Sequence, residues 1–461
     1  MNSQSKKMEL LGSASIPKAL LAMGIPTMIG MLVNAFYNLV DAYFVGGLGE
    51  SQMGAISVVY PLGQVVVGLG LLFGNGAASY ISRLLGQGDK ENADKVASTA
   101  LYSSISVGAV IIIISMIFLH PILKLLGATD SILPYAATYA GVYIVSCIFN
   151  VFNVTMNNIV TSEGAAKTTM CALLIGAVLN IALDPLFIYV FDLGVAGAAI
   201  ATAISQVVST CVYLTYILRK KSVFHFRVKD CTYSREIMSE IFKIGIPTLV
   251  FQILTSLSIS LINNAAGDYG DSAIAGMGVV TRLISMGSLS VFGFIKGFQP
   301  TAGYSYGAKK FDRLREAIKT SILWSTVFCV IFGLVLALFP TAIVSQFTKG
   351  DAEMIRIGAA SLRANGITIM LFGFYTVYSS LFLALGKGRE GFILGACRQG
   401  LCFIPIILLL PMIWGLNGIM YAQPIADVLS AVITVFMAIP LHKKLNEMQK
   451  QTAAISTNDN N

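Results

Sequence analysis

The chain has 461 residues, 56% of them apolar and only 12% charged, with a mean hydropathy of +0.76. Soluble domains carry about 25% charged residues, so a water-soluble globular protein is excluded. One membrane crossing takes about 20 apolar residues, which leaves room for about a dozen. The net charge of +8 follows the loops of a membrane protein and does not mark a nucleic-acid surface.

The first fifteen residues are polar, with Lys6, Lys7 and Glu9. The apolar run after them continues past Val45, far beyond the core of a signal peptide, and reads as an uncleaved first helix. Apolar runs and their breakers predict twelve spans, at 18–45, 52–82, 95–119, 133–160, 168–190, 194–218, 241–267, 273–306, 318–340, 355–385, 391–414 and 417–441. The tail 446–461 is polar and is expected to be disordered. Of the basic residues in loops, only Lys124, Lys349 and Arg356 fall on one side. The positive-inside bias therefore places both termini in the cytoplasm of a multi-pass cell-membrane protein.

The sequence also matches itself at an offset of 221. Gly24-Ile-Pro-Thr27 returns as Gly245-Ile-Pro-Thr248, and Gly46, Gly49, Gly86, Asp130, Gly194, Gly197 and Ser209 fall on Gly267, Gly270, Gly307, Asp351, Gly415, Gly418 and Ser430. Six helices per repeat is an even number, so the repeats enter from the same side and are parallel. The predicted division is a cytoplasmic segment 1–15, an N-lobe bundle 16–219, a basic linker 220–240, a C-lobe bundle 241–441 and a tail 442–461. The fold class is thus an all-α membrane protein of two six-helix parallel repeats.

Enzyme chemistry finds no support. The only Gly-Lys pair, Gly386-Lys387, lacks the rest of a phosphate-binding loop. The three histidines sit near span ends or in loops, away from any nucleophile–base or metal cluster. Seven cysteines, an odd number without a CxxC, read as apolar packing residues. No cofactor is expected.

Carboxylates inside a bilayer are costly and tend to face a cavity or a partner. Three lie well inside spans: Asp41, Asp184 and Asp427. Asp41 and Asp184 both fall in the outer half of outward-running helices. Tyr37 and Asn34 precede Asp41 by four and seven residues on one helical face, and Asn180 precedes Asp184 by four. Thr202 and Tyr139 occupy a similar depth. A polar chamber built from these residues could take a proton or Na⁺, since a carboxylate withdrawn from water favours neutralisation. Pro26 and Pro185 remove backbone hydrogen bonds and provide places to bend. Glu163 reads as a cap or surface charge. In the second half, Asp427 is expected to pair with Arg363, and Arg398 to snorkel. Arg282, Lys296 and Arg363 make that half basic, without an assigned role.

The stretches Ile25-Pro26-Thr27 and Tyr37-Asn38-Leu39-Val40-Asp41, with Asn180-x-x-x-Asp184-Pro185, Gly86-Gln87-Gly88-Asp89 and Gly164, resemble the multidrug and toxic compound extrusion (MATE) family over about residues 15–445. The resemblance implies an antiporter that exports organic cations and amphipathic drugs in exchange for H⁺ or Na⁺. It implies a cation site at Asp41, Asn180, Asp184 and Thr202, with Tyr37, Tyr139 and Asn157 in its hydrogen-bond network. No acidic residue stands in the tenth helix or the membrane part of the seventh, which points to the MepA-like or DinF-like branches. A monomer is the default, because one chain holds both lobes. Two rival readings stay open: a flippase for lipid-linked oligosaccharides, which the basic C-half would suit, and a non-transporting receptor or scaffold.

Overall fold

The structure is a computed structural model that describes residues 3–48, 50–348 and 351–458. Gly49, Lys349 and the last three residues of the tail, which figure in the expectations above, lie outside the described residues. Twelve helices are long and apolar enough to cross a membrane, and no strand occurs among the described residues. They are α1 (Ile16–Val45), α2 (Gly54–Gln87), α3 (Lys90–Ile117), α4 (Leu133–Ser162), α5 (Ala166–Val190), α6 (Gly194–Leu218), α7 (Arg235–Gly267), α8 (Ser272–Gly307), α9 (Phe311–Leu338), α10 (Ala352–Ala384), α11 (Gly388–Trp414) and α12 (Leu416–Gln451).

Large apolar side chains that a soluble protein would bury stand exposed on the outer faces, among them Val110, Ile113 and Ile117 of α3 and Leu323, Ile331 and Leu334 of α9. Such a girdle fits lipid. Inside, Ile81, Met156 and Tyr213 fill one lobe and Phe298, Phe372 and Phe403 the other.

Several helices outrun their apolar stretches, and they do so at the end that carries the termini. There α2 continues to Gln87, α3 starts at Lys90, α7 at Arg235 and α9 at Phe311. Their charged end turns fail a hydropathy criterion yet remain helical because caps hold them. Asp89 accepts the Asn92 amide at 3.1 Å, and Ser234 accepts that of Ile237 at 3.1 Å.

The same physics corrects the expected disordered tail. The last helix runs on to Asn458, with Gln449 donating to Asp312 at 2.5 Å and Asn446 bonded to Arg315. The N-terminal segment is likewise a helix, Ser3–Gly12.

The 221-residue repeat has a direct geometric counterpart. Gly86 of α2 lies against the Tyr304 carbonyl, and Gly307 of α8 lies against the Arg83 carbonyl. Each pair is the other displaced by 221, so the two helices cross about a pseudo-twofold axis with backbone on backbone. Gly194 and Gly415 both adopt positive φ, +54° and +56°, at the entry to the last helix of each repeat.

Every hydrogen bond found between the two bundles among the described residues lies between mid-bundle and the termini-bearing end. Thr27 donates to the Gly293 carbonyl at 2.6 Å, Asn75 to Thr248 at 2.9 Å, and Arg83 to Glu240 at 2.6 Å. The level farthest from the termini is Gln252 donating to Gln64 at 2.5 Å. Beyond it no hydrogen bond joins the bundles among the described residues, and the outer part of α1 exposes Phe36, Leu39 and Tyr43. The hydrogen-bonded seam between the lobes is therefore at the termini-bearing end.

Candidate functional site

Asp41 sits four residues from the far end of α1, half-buried, and Asp184 sits in α5, fully buried. Their carboxyl groups are neighbours, close enough to interact electrostatically. Directly after Asp184, Pro185 cannot donate a backbone hydrogen bond, and the chain widens into a π turn at Leu186–Val190. That turn, closed by the Phe191 amide on the Leu186 carbonyl at 2.9 Å, is a local device common beside functional residues.

Asn180, one turn earlier, donates to Asp184 at 3.3 Å and to Thr202 of α6 at 3.5 Å. Tyr37 lies within electrostatic reach of both carboxylates and Tyr139 of Asp41. Tyr139 stacks on Tyr143 with centroids 5.5 Å apart. Four helices of one lobe thus bring Asp41, Asp184, Asn180, Thr202, Tyr37 and Tyr139 together.

This cluster is rich in acceptors and short of donors. Asp41 Oδ1, Asp184 Oδ2 and Asn180 Oδ1 are buried without a hydrogen-bond partner among the described residues. Neighbouring carboxylates repel unless a cation sits with them, and oxygen ligands suit a proton or a hard cation such as Na⁺.

Two expected members are elsewhere. Asn34 pairs with Asn38, which donates to its carbonyl at 2.7 Å and its side-chain oxygen at 3.2 Å. Asn157 lies deep toward the termini-bearing end, donating to Tyr213 at 3.2 Å and accepting from Lys296 of the other lobe. Pro26 is buried where α1 crosses α8, between Gly24, packed on Phe294, and Thr27.

The second lobe departs from expectation. Asp427 pairs with Arg398, whose Nε donates at 2.9 Å, and with Gln423, also at 2.9 Å. Arg363 is exposed and takes no part. Arg398 does not snorkel: it is buried in a π turn, Cys397–Leu401, with its guanidinium 4.6 Å from the Phe372 ring centre. A turn widened by one residue re-aims the side chain inward, which no apolar periodicity reveals.

Glu163 is also corrected. It is fully buried, ion-paired with Lys7 at 3.2 Å, and accepts from Ser222 at 2.9 Å, the Val223 amide at 2.6 Å and the Tyr216 hydroxyl. Its partners lie 53 or more residues away in sequence, so no local pattern could name them. Sequence reasoning also missed Asn153 of α4, which donates to Gln206 at 2.8 Å and accepts from Thr210 at 3.0 Å.

The MatE family model matches residues 26–186 and 247–409. The multidrug export protein MepA of Staphylococcus aureus strain MSSA476 is 32% identical over 429 residues, covering 93% of this chain and 94% of that protein. MepA of Staphylococcus saprophyticus is 31% identical over 433 residues, covering 94% and 95%. A multidrug resistance MATE transporter solved in an outward-facing conformation superposes with a TM-score of 0.90 at 27% identity, covering 96% of this chain and 99% of that one. With both lobes matched and the relatives covered almost end to end, the chain belongs to the MatE family of multidrug efflux transporters.

Proposed function

We propose that this transporter exports amphipathic, cationic small molecules in exchange for H⁺ or Na⁺. Both termini are then cytoplasmic, the protein spans the cell membrane as a monomer, and the hydrogen-bonded seam lies on the cytoplasmic side. The observation that carries the reading is the set of three buried, donorless oxygens on Asp41, Asp184 and Asn180. An incoming H⁺ or Na⁺ offsets one negative charge of the pair, and a cationic substrate competes for the same carboxylates. Occupancy by one or the other, never both, couples the two fluxes. Pro26 at the crossing of α1 with α8, and Pro185 beside the carboxylate, are where the helices yield as occupancy changes.

A flippase for anionic lipid-linked sugars would need a cationic cavity. Arg398 is neutralised by Asp427 and Lys296 faces a cavity with room for about one water-sized species, which weakens that reading. The test is ethidium efflux from pump-deficient cells, wild type against Asp41→Asn, with and without a protonophore and Na⁺. Efflux by the wild type that is lost in the variant supports the antiporter, and the two additions identify the ion. Equal efflux by both overturns the role of Asp41.

A further inference from the structure

Lys296 of α8 sits inside the closed seam, one turn beyond Gly293, whose carbonyl Thr27 holds at 2.6 Å. Its ammonium reaches across to Asn157 of the other lobe. Beside it is a small cavity between the lobes, lined by Ser82, Asn158 and Thr161 from one and Lys296 and Gln299 from the other. The space holds about one water-sized species.

Among the described residues no carboxylate lines this cavity or pairs with Lys296. Asn157 supplies one neutral acceptor, which leaves the ammonium with unspent protons. The Gln299 amide nitrogen is buried without a partner. The neighbouring hydroxyls direct their protons away, Ser82 to the Ala78 carbonyl at 2.7 Å and Thr161 to the Asn157 carbonyl at 2.6 Å. A buried charge without a counter-charge is costly, and water fills space without cancelling it.

We propose that this cavity binds a small monovalent anion of chloride size, held by the Lys296 ammonium and the Gln299 amide. Because its walls come from both lobes, the anion binds the closed seam better than the parted one and stabilises that arrangement. The site lies many turns from the Asp41–Asp184 pair and is independent of the coupling ion.

The test is thermal unfolding of the purified full chain in detergent at constant ionic strength, with gluconate replaced stepwise by chloride, bromide or acetate. Chloride and bromide should raise the wild-type midpoint by about 2–5 °C and saturate. Lys296→Met should abolish the rise, Lys296→Arg should retain it, and Gln299→Leu should weaken it. A flat wild-type response, an equal rise in Lys296→Met, or a rise with acetate alone would overturn the proposal. The readout is binding, so a failure of the efflux experiment leaves it standing.

Discussion

The two lobes descend from one repeat yet treat buried charge in opposite ways. In the first, Asp41 and Asp184 have no basic side chain beside them among the described residues, and three oxygens there lack donors. In the second, Asp427 is answered by Arg398 and Gln423. At an offset of 221, Asp41 falls on Ile262 and Asp184 on Pro405, so the second lobe carries no acidic pair at the equivalent positions. The lesson is that a membrane carboxylate must be read with its partner. Compensated, it is scaffold; uncompensated, it is a site awaiting a cation.

The sharpest way to break this comparison is to neutralise one acid in each lobe. Asp184→Asn should reduce efflux more than tenfold while the protein still reaches the membrane, since the amide keeps the shape and loses the charge. Comparable loss of transport from Asp427→Asn, at equal surface expression, would erase the distinction between lobes.

Next in size is stability. Arg398→Ala strands the Asp427 carboxylate and should cost about 3–5 kcal/mol, read as a lower unfolding midpoint. Replacing both residues by leucine should recover most of that loss, because a matched apolar pair carries no stranded charge. No recovery would mean that Arg398 matters chiefly through Phe372, 4.6 Å away.

The smallest effect lies outside the bilayer. Asp351 caps α10, and the amide of Met354 and the hydroxyl of Ser272 hold its carboxyl below the usual carboxylate range. A folded value depressed below the unfolded one gives a contribution that is present above the ordinary carboxylate range and is lost as pH falls through the depressed value. Amide exchange at Glu353 and Met354 should accelerate, relative to other exposed helix starts, only at strongly acidic pH.

How much of this was legible in the sequence depends on the range of the interaction. Twelve spans follow from composition, and the first-lobe cluster follows from depth and from four-residue spacing along α1 and α5. The partner of Asn157 was not legible, because Lys296 lies 139 residues away. Asp427 is assigned to Arg363, with Arg398 left to snorkel, because no apolar periodicity shows the π turn that aims Arg398 inward. Helix ends were cut short because charged turns carry no hydropathy signal, although Asp89 and Ser234 are readable caps.

The helix at Ser3–Gly12 has a consequence for connectivity. The chain passes from one half to the other once, through residues 219–234, and that stretch is fastened to the first half by Thr232 on Thr99 at 2.9 Å and Tyr102 on Phe226 at 3.0 Å. The N-terminal helix makes a second bridge. Its Lys7 is fixed in the first half by Glu163, while Lys310 of the second half holds the Gly12 carbonyl at 2.8 Å and Arg313 that of Leu11 at 3.1 Å. The halves are therefore joined without relying on the covalent crossing. Cells making them as two separate polypeptides, divided just before Ser234, have the means to assemble a whole transporter.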